Sequence, residues 1–229
     1  MNFFDPPYKE IPIKKRNPFL RDASQLECIE EPMKVVSNHL EAAEYILEKG
    51  ACNGLDFHIS NVLRNNAAMK KLYGANSLKP LPKEIRTYQQ TNKGRESTEL
   101  SNAIASHCVS LDCELMLYHG GSLPVKEGKP FTTSTPLSTS FQPEVALRNA
   151  LWRGKTYKDD HAFLYVIKII NPEIRAFLMP LDGESHGHEC EALLEKGLKL
   201  QLVKMHSKKY EQKEGNKLYT MSLVEVEAS

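Results

Sequence analysis

Five β-rich runs crowd the C-terminal half of the chain: Ala162 to Ile170, Ile174 to Met179, Glu189 to Leu194, Leu198 to Met205 and Leu218 to Val226. Strands that follow one another so closely, with few helices between them, favour antiparallel sheets. Upstream, Glu114 to His119 running into Gly120-Gly121 reads as a strand ending in a turn. The Thr- and Ser-rich stretch from Phe131 to Ser140 is strand-like or looped, and Pro143 to Trp152 reads as a short helix with Pro143 in its first turn.

The N-terminal half differs in character. Residues 1 to about 35 carry Pro6, Pro7, Pro12, Pro18 and the run Lys14-Lys15-Arg16, which predicts an irregular arm rather than a core element. Leu40, Ala43 and Leu47 then share a helical face that stops at Gly50. A second helix is predicted from Ile59, Val62, Leu63, Met69 and Tyr73, ending near Gly74, with Lys79-Pro80-Leu81-Pro82 as a connector. A third carries Leu100, Ile104, His107 and Cys108, with His107 read as packing. The expected fold is α+β: an arm and helical part over residues 1–110, and an antiparallel β-sandwich core over 111–229.

Composition narrows the function. A net charge of +1 argues against a broad nucleic-acid footprint, which needs a marked basic excess. No apolar run approaches the roughly 20 residues that span a bilayer. Met1 to Pro7 lack the basic region and apolar core of a cleaved export signal. Five cysteines at irregular spacings fit reduced thiols better than a disulfide scaffold, with Cys108 and Cys190 expected in the core.

The segment His188-Glu189-Cys190-Glu191-Ala192-Leu193-Leu194-Glu195-Lys196-Gly197 carries the chemistry. On a strand, Glu189 and Glu191 point the same way. Two like charges side by side cost on the order of 1 kcal/mol, more as water is excluded. Most such pairs are the solvated face of an edge strand. The other reading is a carboxylate site that stabilises a cation or moves a proton. His186, His188 and Cys190 are zinc-ligand types, but no second ligand cluster stands at a recognisable spacing, so no metal is expected. No Gly-x-Ser-x-Gly and no phosphate-binding Gly-rich loop is present.

Three segments set polar residues at the ends of apolar strands: Leu117-Tyr118-His119-Gly120, Leu137-Ser138-Thr139-Ser140 and Glu189-Cys190-Glu191. In order and flanks they resemble the mono-ADP-ribosyltransferases of the bacterial toxin and effector type, in their Arg-Ser-Glu class. That family carries an aromatic-Arg-Gly, then Ser-Thr-Ser, then Glu-x-Glu before an apolar run and a glycine. The likeness covers roughly Leu111 to the C-terminus. His119 holds the arginine position; it is smaller and titrates near neutrality. Other branches of the superfamily place a histidine there, bonded to ribose.

The resemblance implies an ADP-ribosyltransferase-like core and NAD+ as co-substrate. It implies that Glu191 stabilises the ribose cation, Glu189 orients or deprotonates the acceptor, and Ser138 holds Glu191. His119, Gly120, Tyr118, Ser138 and Glu191 would line the dinucleotide, although Tyr118 could instead pack against the sheet. Arg148 and Arg153 are weaker candidates for phosphate contacts. The partner implied is a target protein of a host cell, with an arginine acceptor ahead of threonine or serine. The chain would be a soluble effector, secreted without a cleaved signal and acting in host cytosol. The competing reading is a non-catalytic NAD- or protein-binding module with a degenerate transferase fold.

Overall fold

The computed structural model describes residues 3–10, 34–50, 54–74, 81–91, 94–151, 161–181, 190–214 and 217–229. Among these it has six helices and eleven strands, so the chain is α+β.

The first helix, α1 (His39–Lys49), starts where Asn38 Oδ1 accepts the Glu41 N–H at 2.9 Å and Glu41 in return accepts the Ser37 N–H at 2.7 Å. It stops at Gly50, whose φ of 78° lets its N–H reach back to Ile46 O. The predicted second helix is two, α2 (Leu55–Asn65) and α3 (Ala67–Gly74). Asn66 makes the break: its backbone is extended, and its Oδ1 accepts the N–H groups of Ala68 and Met69. A helix α4 (Lys83–Thr91) follows, absent from the sequence expectation, then α5 (Thr98–His107), capped by Ser97 Oγ on the Leu100 N–H at 3.0 Å.

Of the irregular arm expected over residues 1 to about 35, the described residues 3–10 reach the core. Phe3 and Phe4 are buried against His39 and Phe141, and β1 (Tyr8–Lys9) pairs with β2 (Val35–Val36). Fully burying an aromatic ring contributes roughly 1.5–3 kcal/mol, enough to draw a proline-rich segment onto a core.

The remaining strands are β3 (Val109–Ser110), β4 (Met116–Gly121), β5 (Phe131–Thr132), β6 (Leu137–Ser140), β7 (His161–Ile169), β8 (Arg175–Leu178), β9 (Glu191–Leu194), β10 (Lys199–Glu214) and β11 (Lys217–Ala228), with α6 (Pro143–Leu151) after β6. They form one hydrogen-bonded sheet in the order β3-β8-β9-β6-β4-β7-β11-β10-β5. It is mixed rather than wholly antiparallel: β7 and β11 run parallel, which the long excursion through β8, β9 and β10 permits.

Two features of this sheet position the site. First, β4 pairs with β7 over six residues but with β6 at Tyr118↔Ser140 alone, so β4 and β6 part beside that point. Second, Leu81, Ile85 and Tyr88 at α4 and Leu100 and Ile104 of α5 form a buried cluster with Phe177, Met179 and Leu193. The helical pair is thereby fastened onto β8 and β9. A larger core joins α1, α2 and α3 to the rest of the sheet.

Candidate active site

Strands β6 and β9 run antiparallel with Ser140 opposite Glu191 and Ser138 opposite Leu193. Direct partners share a face, so Ser138, Ser140, Glu191 and Leu193 lie on one side. There Ser138 Oγ–H donates to Glu191 Oε1 at 2.5 Å. Glu191 is only 7% exposed. An ionised carboxylate so enclosed needs hydrogen-bond donors, and the serine supplies one. The intervening Thr139 points to the other side and donates to Ala192 O at 2.7 Å.

The backbone entering β9 is distorted. Cys190 has φ of 45°, in the left-handed region that non-glycine residues rarely occupy. Its carbonyl accepts the Phe141 N–H at 3.1 Å and Ser140 Oγ–H at 3.5 Å. Such a conformation costs on the order of 1–3 kcal/mol and persists only where its surroundings enforce it. It sits one residue before Glu191, so the contacts that hold Cys190 also aim that carboxylate. Cys190 is buried as expected, and burial pushes its thiol up to about 11. Cys108, expected in the core, is half-buried at the end of α5.

His119 reaches β6 as well: its Nδ1 lies 2.7 Å from Ser138 O. A carbonyl only accepts, so Nδ1 carries the hydrogen. One residue, Ser138, is thus touched at its carbonyl by His119 and through its hydroxyl by Glu191. The ring of His119 lies 5.9 Å from that of Tyr165, its register partner on β7.

The neighbours of His119 serve the core. Tyr118 is fully buried; its O–H donates to His39 O at 3.1 Å, and its oxygen lies 3.0 Å from His39 Nδ1. It packs against α1 rather than presenting its hydroxyl at the site. At Gly120, a Cβ would stand 1.7 Å from Ala146 O of α6, so close helix–strand packing by itself demands glycine there. Arg148 is paired with Glu144 one turn back on α6, at 2.5 Å. Glu189 and Arg153, and the polar loop with His186 and His188, lie outside the described residues.

Tyr88 of α4 is a site residue the sequence reading missed. It is 6% exposed within the cluster that holds Leu193, the register partner of Ser138. Its hydroxyl lies close enough to Glu191, Arg95 and Ser138 for each to act on its ionisation. Burial raises its pKa, the Glu191 charge raises it further, and the proximity of Arg95 and Ser138 opposes the rise. The phenol is therefore neutral. The available signal was Ile85 and Tyr88 at i, i+3 after Pro82, a short apolar stripe in an otherwise polar segment.

No known family profile matches the sequence, and no curated relative does. Solved structures do. Vis toxin, an ADP-ribosyltransferase from Vibrio splendidus, superposes with a TM-score of 0.50 at 13% identity, over 83% of this chain and 91% of that one. This chain has the fold of an ADP-ribosyltransferase toxin. C3larvin toxin, an ADP-ribosyltransferase from Paenibacillus larvae, matches over 71% of this chain and 94% of its own, at 15% identity and a TM-score of 0.44.

Proposed function

We propose that the chain is an NAD+-dependent mono-ADP-ribosyltransferase that modifies a side chain of a host protein. The observation that carries this reading is the bond from Ser138 Oγ to the buried Glu191 carboxylate, made across β6 and β9 of a transferase-type fold. Vis toxin is an ADP-ribosyltransferase by name.

The residues suit the chemistry. In transfer, the bond between ribose C1 and the nicotinamide nitrogen breaks, and its electron pair leaves with nicotinamide. Positive charge develops on C1 and the ring oxygen. The acceptor heteroatom then bonds to C1 and loses its proton. Glu191, a fixed anion in a water-poor site, stabilises that charge electrostatically. Ser138 holds the carboxylate in one rotamer, and His119, anchored on Ser138 O, presents its ring to the ribose. Glu189, one pleat earlier in sequence, orients or deprotonates the acceptor. By family analogy the paired glutamates make arginine the first acceptor, and His119, which departs from the arginine-subgroup pattern, makes threonine or serine the second. Gly120 contributes through close packing, and Tyr118 lies outside the ligand-facing set.

The test is incubation of the protein and its Glu191→Gln variant with NAD+ and host-cell lysate, with ADP-ribosylated peptides read by mass spectrometry. The expected result is labelling by the parent and a loss of about 100-fold or more in the variant. Equal labelling by both would remove Glu191 from the mechanism. Neither labelling nor nicotinamide release by the parent would overturn the enzymatic reading.

A further inference from the structure

One row of register partners crosses the sheet away from the candidate site. Gly121 of β4 stands opposite Phe163 of β7, Phe163 opposite Ser222 of β11, and Ser222 opposite Lys209 of β10. Direct partners share a face, so the four line one side of the sheet, with Gly121 about 10 Å from Ser222. At the near end, His119 Nε2 stands 3.4 Å from where a Cβ on Gly121 would lie. Apart from its chain neighbours, such a Cβ would meet no other described group within 4 Å. Unlike Gly120, then, Gly121 is a low floor that packing leaves open. The half-buried Phe163 comes next, its ring stacked on that of His161 at 4.8 Å.

At the far end two basic side chains meet on Ser222, which is fully buried. Lys209 Nζ donates to Ser222 Oγ at 2.7 Å, and His161 Nε2 lies 2.8 Å from the same oxygen. An ammonium only donates, so the serine accepts from Lys209 and turns its own proton to His161 Nε2. Burial and the Lys209 charge lower the imidazole pKa, so the ring is neutral and keeps its hydrogen on Nδ1. A register shift sets this cluster up. Without the shift between Met205 and Lys209, Ser207 would stand opposite Ser222; with it, the lysine does. Among the described residues, neither Lys209 nor His161 is paired with a carboxylate. An exposed ammonium steadied by a neutral hydroxyl keeps its charge for an anion.

We propose that this row seats NAD+, with a ribose on Gly121 beside His119 and the pyrophosphate held by Lys209 and His161. This rests on the function proposed above. A ribose over Gly121 carries its phosphates along the row, past Phe163 and within reach of the ammonium. The pyrophosphate keeps its charge while the bond to nicotinamide breaks, so Lys209 binds ground state and transition state alike. Its loss therefore falls on KM and spares kcat.

The decisive variant is Lys209→Gln, at an exposed position. Its KM for NAD+ in nicotinamide release is expected to rise about 10-fold, with kcat within about twofold of the parent. Lys209→Arg keeps the charge and is expected to recover most of that loss. Product-like inhibitors separate the two ends of the dinucleotide. ADP, which carries the pyrophosphate, should inhibit Lys209→Gln about 10-fold more weakly, whereas nicotinamide, which carries no phosphate, should inhibit it as it does the parent. Unchanged KM and ADP inhibition in a folded Lys209→Gln variant, or an equal loss for nicotinamide, would overturn the proposal. A parent that binds ADP but releases no nicotinamide defeats the enzymatic reading alone. The row is then judged by ADP calorimetry: weaker binding in Lys209→Gln supports it, and equal binding overturns it. A parent that binds neither NAD+ nor ADP overturns both.

Discussion

Ser138 and Gly120 show how differently two neighbouring motifs constrain a residue. At Ser138 the side chain carries the constraint, through its bond to Glu191. Ser138→Ala removes one charge-assisted hydrogen bond and leaves the strand intact. Its kcat for nicotinamide release should fall about tenfold, a smaller loss than Glu191→Gln, with the melting temperature little altered. At Gly120 the absence of a side chain carries it. A methyl group would sit 1.7 Å from the carbonyl of Ala146, and backbone on both sides cannot yield cheaply. Gly120→Ala should destabilise the fold by more than about 3 kcal/mol in urea titration, whatever its effect on ligand binding. A mild effect there would mean that α6 can move off β4.

The elements divide by how local their determinants are. Helix α1 was legible because Leu40, Ala43 and Leu47 mark one face and Gly50 supplies the left-handed stop. The break at Asn66 was not, because the apolar spacing runs on across it and only the asparagine side chain, capping Ala68 and Met69, ends one helix and begins the next. Helix α4 was missed because it buries only Ile85 and Tyr88 and is polar elsewhere; it exists by packing on α5, β8 and β9. Strand β10 was expected to end at Met205, where the lysine-rich register shift begins, yet pairing with β11 resumes beyond it. The polar row of the site was readable as strand ends in order, whereas Tyr88 was not, since it arrives from an element packed across the sheet. Because Ser97 caps α5, and α5 backs α4, Ser97→Ala should cost about 1 kcal/mol. Hydrogen exchange should report it as faster opening of both helices, with β7 and β11 unchanged.

Across the whole molecule, the N-terminal segment and the sheet meet at His39. Its imidazole lies among Phe3, Phe4 and Tyr118, with Nδ1 on Tyr118 Oη and Nε2 buried without a hydrogen-bond partner among the described residues. Burial lowers its pKa to about 4. The unfolded chain binds a proton there near pH 6.5, so below that pH the unfolded state takes up a proton that the folded state refuses. Stability is therefore level above pH 6.5, falls as the pH drops from 6.5 towards 4, and levels again below. The total from this residue is on the order of 3 kcal/mol. Urea titrations across that window should show the decline, and His39→Gln should flatten it. A parent curve that is flat over the window would place His39 in a wetter setting than its packing indicates.

The candidate site draws on four elements: β6 and β9 supply Ser138 and Glu191, β4 supplies His119, and α4 brings Tyr88 into the buried cluster beside them. The most direct measurement of the central claim is the steady-state rate of nicotinamide release from saturating NAD+ by the parent and by Glu191→Gln, with circular dichroism and NAD+ affinity on the same samples. The account predicts that the variant folds, binds NAD+ within a few-fold of the parent, and releases nicotinamide at least about 100-fold more slowly. A folded variant that keeps the parental rate would contradict it.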